Sequence, residues 1–128
     1  MGYRSDVTIA FYPSYKDGVD FMALKLWVEE NYPLQEAVRE CGATVEYNED
    51  ANYIHISYAD VKWWAAYPHT KKTDAALVKL EEDFPYVDEG VLPRAHWEMM
   101  RIGEDYNDTE YGASGYAENR LKRKVTID

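Results

Sequence analysis

The carboxylates of Glu104-Asp105-Tyr106-Asn107-Asp108-Thr109-Glu110 come nearest to a spacing that could do chemistry. Clustered oxygens of this kind attract hard cations. A helix-loop-helix calcium loop needs Gly at its sixth position and Glu at its twelfth. Counting from Asp105 puts Glu110 and Tyr116 there, so that template fails. Magnesium-dependent phosphoryl transfer needs carboxylates on rigid elements beside a phosphate-binding loop. The segment therefore reads as a solvated acidic loop, and no metal or other cofactor is expected.

Candidate bases and nucleophiles do not assemble either. His55, His69 and His96 lack the i, i+4 spacing of helical zinc pairs. His55 falls opposite the Ile54 and Ile56 face of a predicted strand, a surface or helix-covered position. Cys41 precedes Gly42 at a predicted helix end, where the dipole disfavours a thiolate, so it reads as a small core residue. Ser114, in Gly112-Ala113-Ser114-Gly115, lacks the strand-to-helix context of a nucleophile elbow, and these glycines are too few to cradle a phosphate. A non-catalytic protein is expected.

What remains is charge. Between Glu81 and Glu110 ten acids face only Arg94 and Arg101, a local charge of −8 within a net −10. Such a balance repels nucleic-acid backbones, which are bound by Lys and Arg displacing counterions. The basic Arg120, Lys122, Arg123 and Lys124 would divide between the faces of a strand and guard a sheet edge. No apolar run approaches the ~20 residues of a membrane span, and no signal core follows the N-terminal residues. A single cysteine cannot form an internal disulfide, and a cytoplasmic setting is expected.

These residues must be positioned by a folded domain. At 128 residues, 46% hydrophobic and 15% aromatic, the chain reads as one domain and far exceeds the apolar content of a disordered acidic tail. Val7 to Tyr12 is a strand signal ended by Pro13. Asp17 is the expected cap of a helix whose buried stripe is Val19, Met22, Ala23, Leu26 and Trp27. Pro33 opens a short helix with Leu34, Ala37, Val38 and Cys41 inward and Gly42 as a left-handed stop. Thr44–Tyr47 and Tyr53–Trp64 form a hairpin around the turn at 48–52, with Ile54, Ile56 and Tyr58 on one face.

After a loop at Pro68 and Thr70, a helix is predicted over Thr73–Phe84, with Ala76, Leu77 and Leu80 inward. A strand over Ala95–Ile102 follows, then a long loop over Gly103–Asn119, and finally a strand alternating Leu121, Arg123, Val125 and Ile127. The string predicts an α+β fold with a ferredoxin-like β-α-β-β-α-β core, two main helices on one face of an antiparallel sheet and an extra C-terminal strand. Adjacent strand residues face opposite ways, so Trp63 and Trp64 cannot both enter one core, and one of them or Tyr67 is expected to be exposed.

Gly2-Tyr3-Arg4-Ser5-Asp6-Val7, Tyr53-Ile54-His55-Ile56, Val61-Lys62-Trp63-Trp64 and Arg101-Ile102-Gly103-Glu104-Asp105 resemble small uncharacterised proteins of tailed bacteriophages and prophages. The resemblance covers most of the chain and carries no catalytic residues. It implies a phage-encoded protein of the bacterial cytoplasm acting on a host protein, such as a defence protein.

The expected function is binding. An acidic face of Glu81, Glu82, Asp88, Glu89, Glu104, Asp105 and Asp108, with Trp64 or Tyr106 as aromatic anchors, would dock on a basic protein surface of host or phage. Alternatives are a small-ligand or metal-binding protein, or an enzyme, with 103–119 as a lid, and a homo-oligomeric accessory protein whose sheet edges pair between chains. Neither nucleic acid nor membrane is an expected direct partner.

Overall fold

The computed structural model describes residues 4–15, 17–63, 67–85, 93–103, 108–115 and 121. Alternation of Val7, Ile9 and Phe11 with Thr8, Ala10 and Tyr12 makes strand β1 (Arg4–Pro13), which is buried on both faces along most of its length. Helices α1 (Phe21–Asn31) and α2 (Leu34–Cys41) follow. Gly42 stops α2 at φ 68°, a left-handed residue that only glycine adopts without strain. Strands β2 (Thr44–Asn48) and β3 (Tyr53–Lys62) form the hairpin, whose turn is tied by Ala51 N–H donating to Asn48 Oδ1 at 2.9 Å. Helix α3 (Pro68–Asp83) and strands β4 (Ala95–Ile102) and β5 (Thr109–Ala113) complete the described elements.

The architecture is α+β: among the described residues an antiparallel five-stranded sheet in the order β2-β3-β1-β4-β5 is accompanied by helices α1, α2 and α3. Val7, Ile9, Phe11, Ile54, Ile56 and Tyr58 meet Leu24, Trp27 and Val28 of α1 and Leu77 and Leu80 of α3 in the main core. Ala10, Tyr12 and Met100 point to the other face and pack with Leu121.

Three local expectations change. Asp17 is not a cap but a left-handed turn residue at φ 58°, and α1 starts at Phe21. The buried stripe is Leu24, Trp27 and Val28, while Met22 and Leu26 are more than half exposed. Pro68 and Thr70 belong to α3 rather than to a loop, and Pro68 opens the helix because its fixed φ and missing N–H suit the first turn.

The segment expected as a 103–119 loop or lid contains β5, paired with β4 from Glu98↔Ala113 to Ile102↔Thr109. Gly112 lies within β5, its Cα side turned to the Trp97 ring, which an added Cβ would meet at 3.4 Å. Of the expected C-terminal strand only Leu121 is among the described residues, and it is buried. Residues 122–127 lie outside them.

Candidate functional site

Alternation along β4 sends Trp97, Met99 and Arg101 toward the helices and His96, Glu98 and Met100 to the opposite face. Glu98 lies between Ala10 on β1 and Ala113 on β5, two small neighbours that leave room for a carboxylate. Its side chain is wholly buried. The Tyr12 hydroxyl donates to Oε2, the Tyr111 hydroxyl donates to Oε1 at 2.9 Å, and Leu121 N–H donates to Oε1 at 3.0 Å. A buried carboxylate so supplied with donors is tolerated where a bare one is not.

His96 pairs with Tyr12 across the same strands, ring centroids 5.6 Å apart. Ser14 Oγ stands 2.8 Å from its Nε2 and Ser114 Oγ 3.5 Å from its Nδ1. The Ser14 hydroxyl donates its single proton to the Pro93 carbonyl, so the imidazole N–H at Nε2 donates to Ser14. That polarity is the reverse of an activated nucleophile, in which imidazole accepts the serine proton. The network ties β1, β4, β5 and residue 121 together, and its chemistry is cohesion.

At the far end of β4, Arg101 grips Asp108 through Nη1–Oδ2 at 3.1 Å and Nη2–Oδ1 at 2.7 Å, and also reaches Ser5 Oγ at 3.1 Å. Glu110 Oε2 lies 3.8 Å from its Nε. The guanidinium holds the Asp108 carboxyl below the usual carboxylate range. Asp74 on α3 is pushed up, by burial first and then by the Glu110 charge. Asp108 is therefore neutralised within the protein. Cys41, half-buried, has its thiol pushed up by burial and then by Glu40 and Glu36, which disfavours the thiolate.

The helices supply a different surface. Trp27 Nε1–H donates to Asp83 at 2.7 Å near one end of the α1–α3 contact, and Tyr32 Oη meets Thr73 Oγ1 at 3.3 Å near the other, so the two helices run antiparallel. Between them opens a cleft of about 370 Å³, with Glu30 and Tyr32 on one wall and Ala75, Ala76 and Lys79 on the other. Lys72 also lines it but is bound to Glu36 at 2.7 Å, and Lys79 to Asp83 at 2.9 Å. Glu29, Glu30, Glu81 and Glu82 are exposed and have no ion pair among the described residues.

Of the residues expected at the acidic face, Glu81 and Glu82 share the last turns of α3. Asp108 sits by Arg101, near Asp74 and Glu110. Glu81 lies seven residues beyond Asp74, about 10 Å further along the helix. Trp64, Asp88, Glu89, Glu104, Asp105 and Tyr106 lie outside the described residues. Trp63 is half-buried, its ring 5.0 Å from Tyr58 and 5.4 Å from His69. Glu98, counted in the sequence with the acidic block, is core.

Glu29 and Glu30 were not singled out by sequence reasoning. Their adjacency at the end of the first predicted helix was the available signal. Among the described residues no three His, Cys, Asp or Glu side chains converge as metal ligands, and no helix is long and apolar enough to cross a membrane. No protein-family model matches this chain, and no curated protein or solved structure matches it either.

Proposed function

We propose that this chain is a non-catalytic binding protein whose acidic helical face docks on a basic protein surface. The observation that carries the reading is the split in how the charges of α1 and α3 are spent. Lys72 and Lys79 pair with Glu36 and Asp83 and Lys25 lies over the Tyr47 ring, while Glu29, Glu30, Glu81 and Glu82 are exposed with no ion pair among the described residues, against Lys71 as the one exposed lysine of these helices outside such a contact. An excess of one sign of charge speeds encounter with the opposite sign and makes binding salt-sensitive. The resemblance to phage proteins makes the partner a host protein in the bacterial cytoplasm.

The scaffold fits a ferredoxin-like core. β1 and β2 run parallel with β3 between them, and β3 and β4 run parallel with β1 between them, which supports two split β-α-β units extended by β5.

Affinity capture from bacterial lysate at low and high salt tests the binding reading, with wild type set against a Glu81→Lys/Glu82→Lys double variant. The wild type is expected to retain a discrete partner at low salt and release it at high salt, and the variant to retain none. Equal capture by both proteins would overturn the acidic face as the docking surface.

A further inference from the structure

We propose that the open edge of β2 is a second docking site, which takes an extended basic segment of a partner protein as an added strand. β2 ends the sheet order and, among the described residues, pairs with β3 alone. That register runs without a bulge from Thr44↔Ser57 to Asn48↔Tyr53. Thr44, Glu46 and Tyr47 are exposed, Tyr47 to 39%, so the strand lies open where β1 is buried. The outward N–H and C=O groups of such an edge are a template for another strand.

Alternation gives the edge two sides. Val45 packs on the main core, and Tyr47, in phase with it, has Lys25 Nζ 4.9 Å from its ring centroid. Thr44, Glu46 and Asn48 face the other way. The Tyr53 hydroxyl donates to Glu46 Oε2 at 2.9 Å, and His55 Nδ1 lies 4.0 Å from Oε1. Asn48 Nδ2 in turn donates to the Tyr53 oxygen at 3.2 Å. The Glu46 side chain is held in this way and is still 58% exposed, within reach of a residue directly opposite on a further strand. Glu49 and Asp50 follow in the turn, so residues 44–50 carry three acids and no base.

Charge then selects the occupant. A second copy paired antiparallel along the whole strand, about a two-fold axis, sets Val45 against Tyr47 but Glu46 against Glu46. Like charges directly opposite are destabilising. A strand with Lys or Arg opposite Glu46 turns the same position into an attraction, and apolar residues on either side of it meet Val45 and Tyr47. No proline or lysine in β2 guards the edge against such a strand. The site makes no use of Glu81 or Glu82, so it stands or falls apart from the helical face.

The test uses the full chain and a capped Thr-Val-Lys-Val-Thr peptide at low salt, with affinity read by fluorescence anisotropy and location by amide hydrogen exchange. The peptide is expected to bind at least about fivefold more tightly than its copy with Glu in place of Lys, and to slow exchange within 44–48. A Glu46→Lys variant, shown by circular dichroism to be folded, should reverse that order. The Glu81→Lys/Glu82→Lys variant should bind the Lys peptide as the wild type does. A copy N-methylated at two adjacent central residues, which cannot complete the ladder on either edge, should not bind. Absence of binding by the Lys peptide, binding that leaves exchange in 44–48 unchanged, or equal binding by the N-methylated copy would each overturn the proposal and leave the helical-face reading intact. A dimer in light scattering whose 44–48 amides are protected without peptide would reassign the edge to a second copy and overturn it too.

Discussion

The Tyr12 hydroxyl donates to Oε2 of Glu98, joining neighbouring strands on a face where neither side chain reaches solvent. Removing one partner of a buried polar pair costs about 1–3 kcal/mol, because the other group keeps its desolvation penalty and loses an interaction. Tyr12→Phe should therefore lower unfolding stability by about 1–3 kcal/mol. Glu98→Leu should cost more, since Tyr12, Tyr111 and Leu121 N–H all lose their acceptor. Chemical denaturation of the two variants measures both, and a change under about 0.5 kcal/mol for either would refute the network's structural role.

How much of this was legible depends on how local the signal is. β4 can be read at its true bounds, Ala95–Ile102, because Pro93 and Gly103 bracket a stretch with no breaker inside it. Glu98 cannot be read as core, because burying a carboxylate depends on tyrosines 86 residues before and 13 after it. The phase of α1 is ambiguous for another reason. Phe21, Met22, Ala23, Leu24, Leu26, Trp27 and Val28 ring the helix with apolar groups, so periodicity admits more than one stripe. Packing decides it: Trp27 meets Phe11 at 6.1 Å and Phe84 at 6.4 Å. The acidic face is the mirror case. Ten acids close in sequence look like one surface, but the fold sends Glu98 inward, ties Asp108 to Arg101 and leaves Glu81 and Glu82 exposed on α3.

Two glycines should respond differently to alanine. At Gly18 an added Cβ would strike the backbone carbonyl of Ser14, which is fixed by the Ser14 N–H donating to Arg94 O at 3.0 Å. At Gly103 it would strike the Asp108 side chain, which can be removed by mutation. Gly103→Ala is expected to cost about 1–3 kcal/mol in the wild type and much less in an Asp108→Ala background, a coupling visible in a double-mutant cycle. Gly18→Ala should cost at least as much as Gly103→Ala, with no such rescue. An unchanged Gly103→Ala cost in the Asp108→Ala background would contradict the assigned clash.

Acid should unpick two ion pairs. Asp83 is held low by the Trp27 N–H and then by Lys79, and Asp108 by Arg101. A carboxyl whose folded pKa lies below its unfolded value adds stability above about pH 4, and that stability is lost as pH falls through the folded pKa. Asp83→Asn and Asp108→Asn should each flatten the acid limb of a stability–pH curve while lowering stability at neutral pH. A limb of unchanged steepness in both variants would show that neither pair contributes.

Asp74 should act with the opposite sign. Burial and the nearby Glu110 raise its carboxyl above the ordinary value, so folding favours its protonated form. Its contribution is most favourable below the unfolded carboxylate pKa and is lost as pH rises through the folded one. At neutral pH the ionised Asp74 therefore works against the fold. Asp74 is exposed, so solvent screens the effect to a few tenths of a kcal/mol. Asp74→Asn should raise the melting temperature slightly at pH 7, by an amount that shrinks in high salt and vanishes near pH 3. Glu110→Gln gives a cross-check, because it removes the repelling charge but also a neighbour of Arg101. If the gain from Asp74→Asn is the same with and without Glu110→Gln, burial alone raises the Asp74 carboxyl and the two charges do not interact.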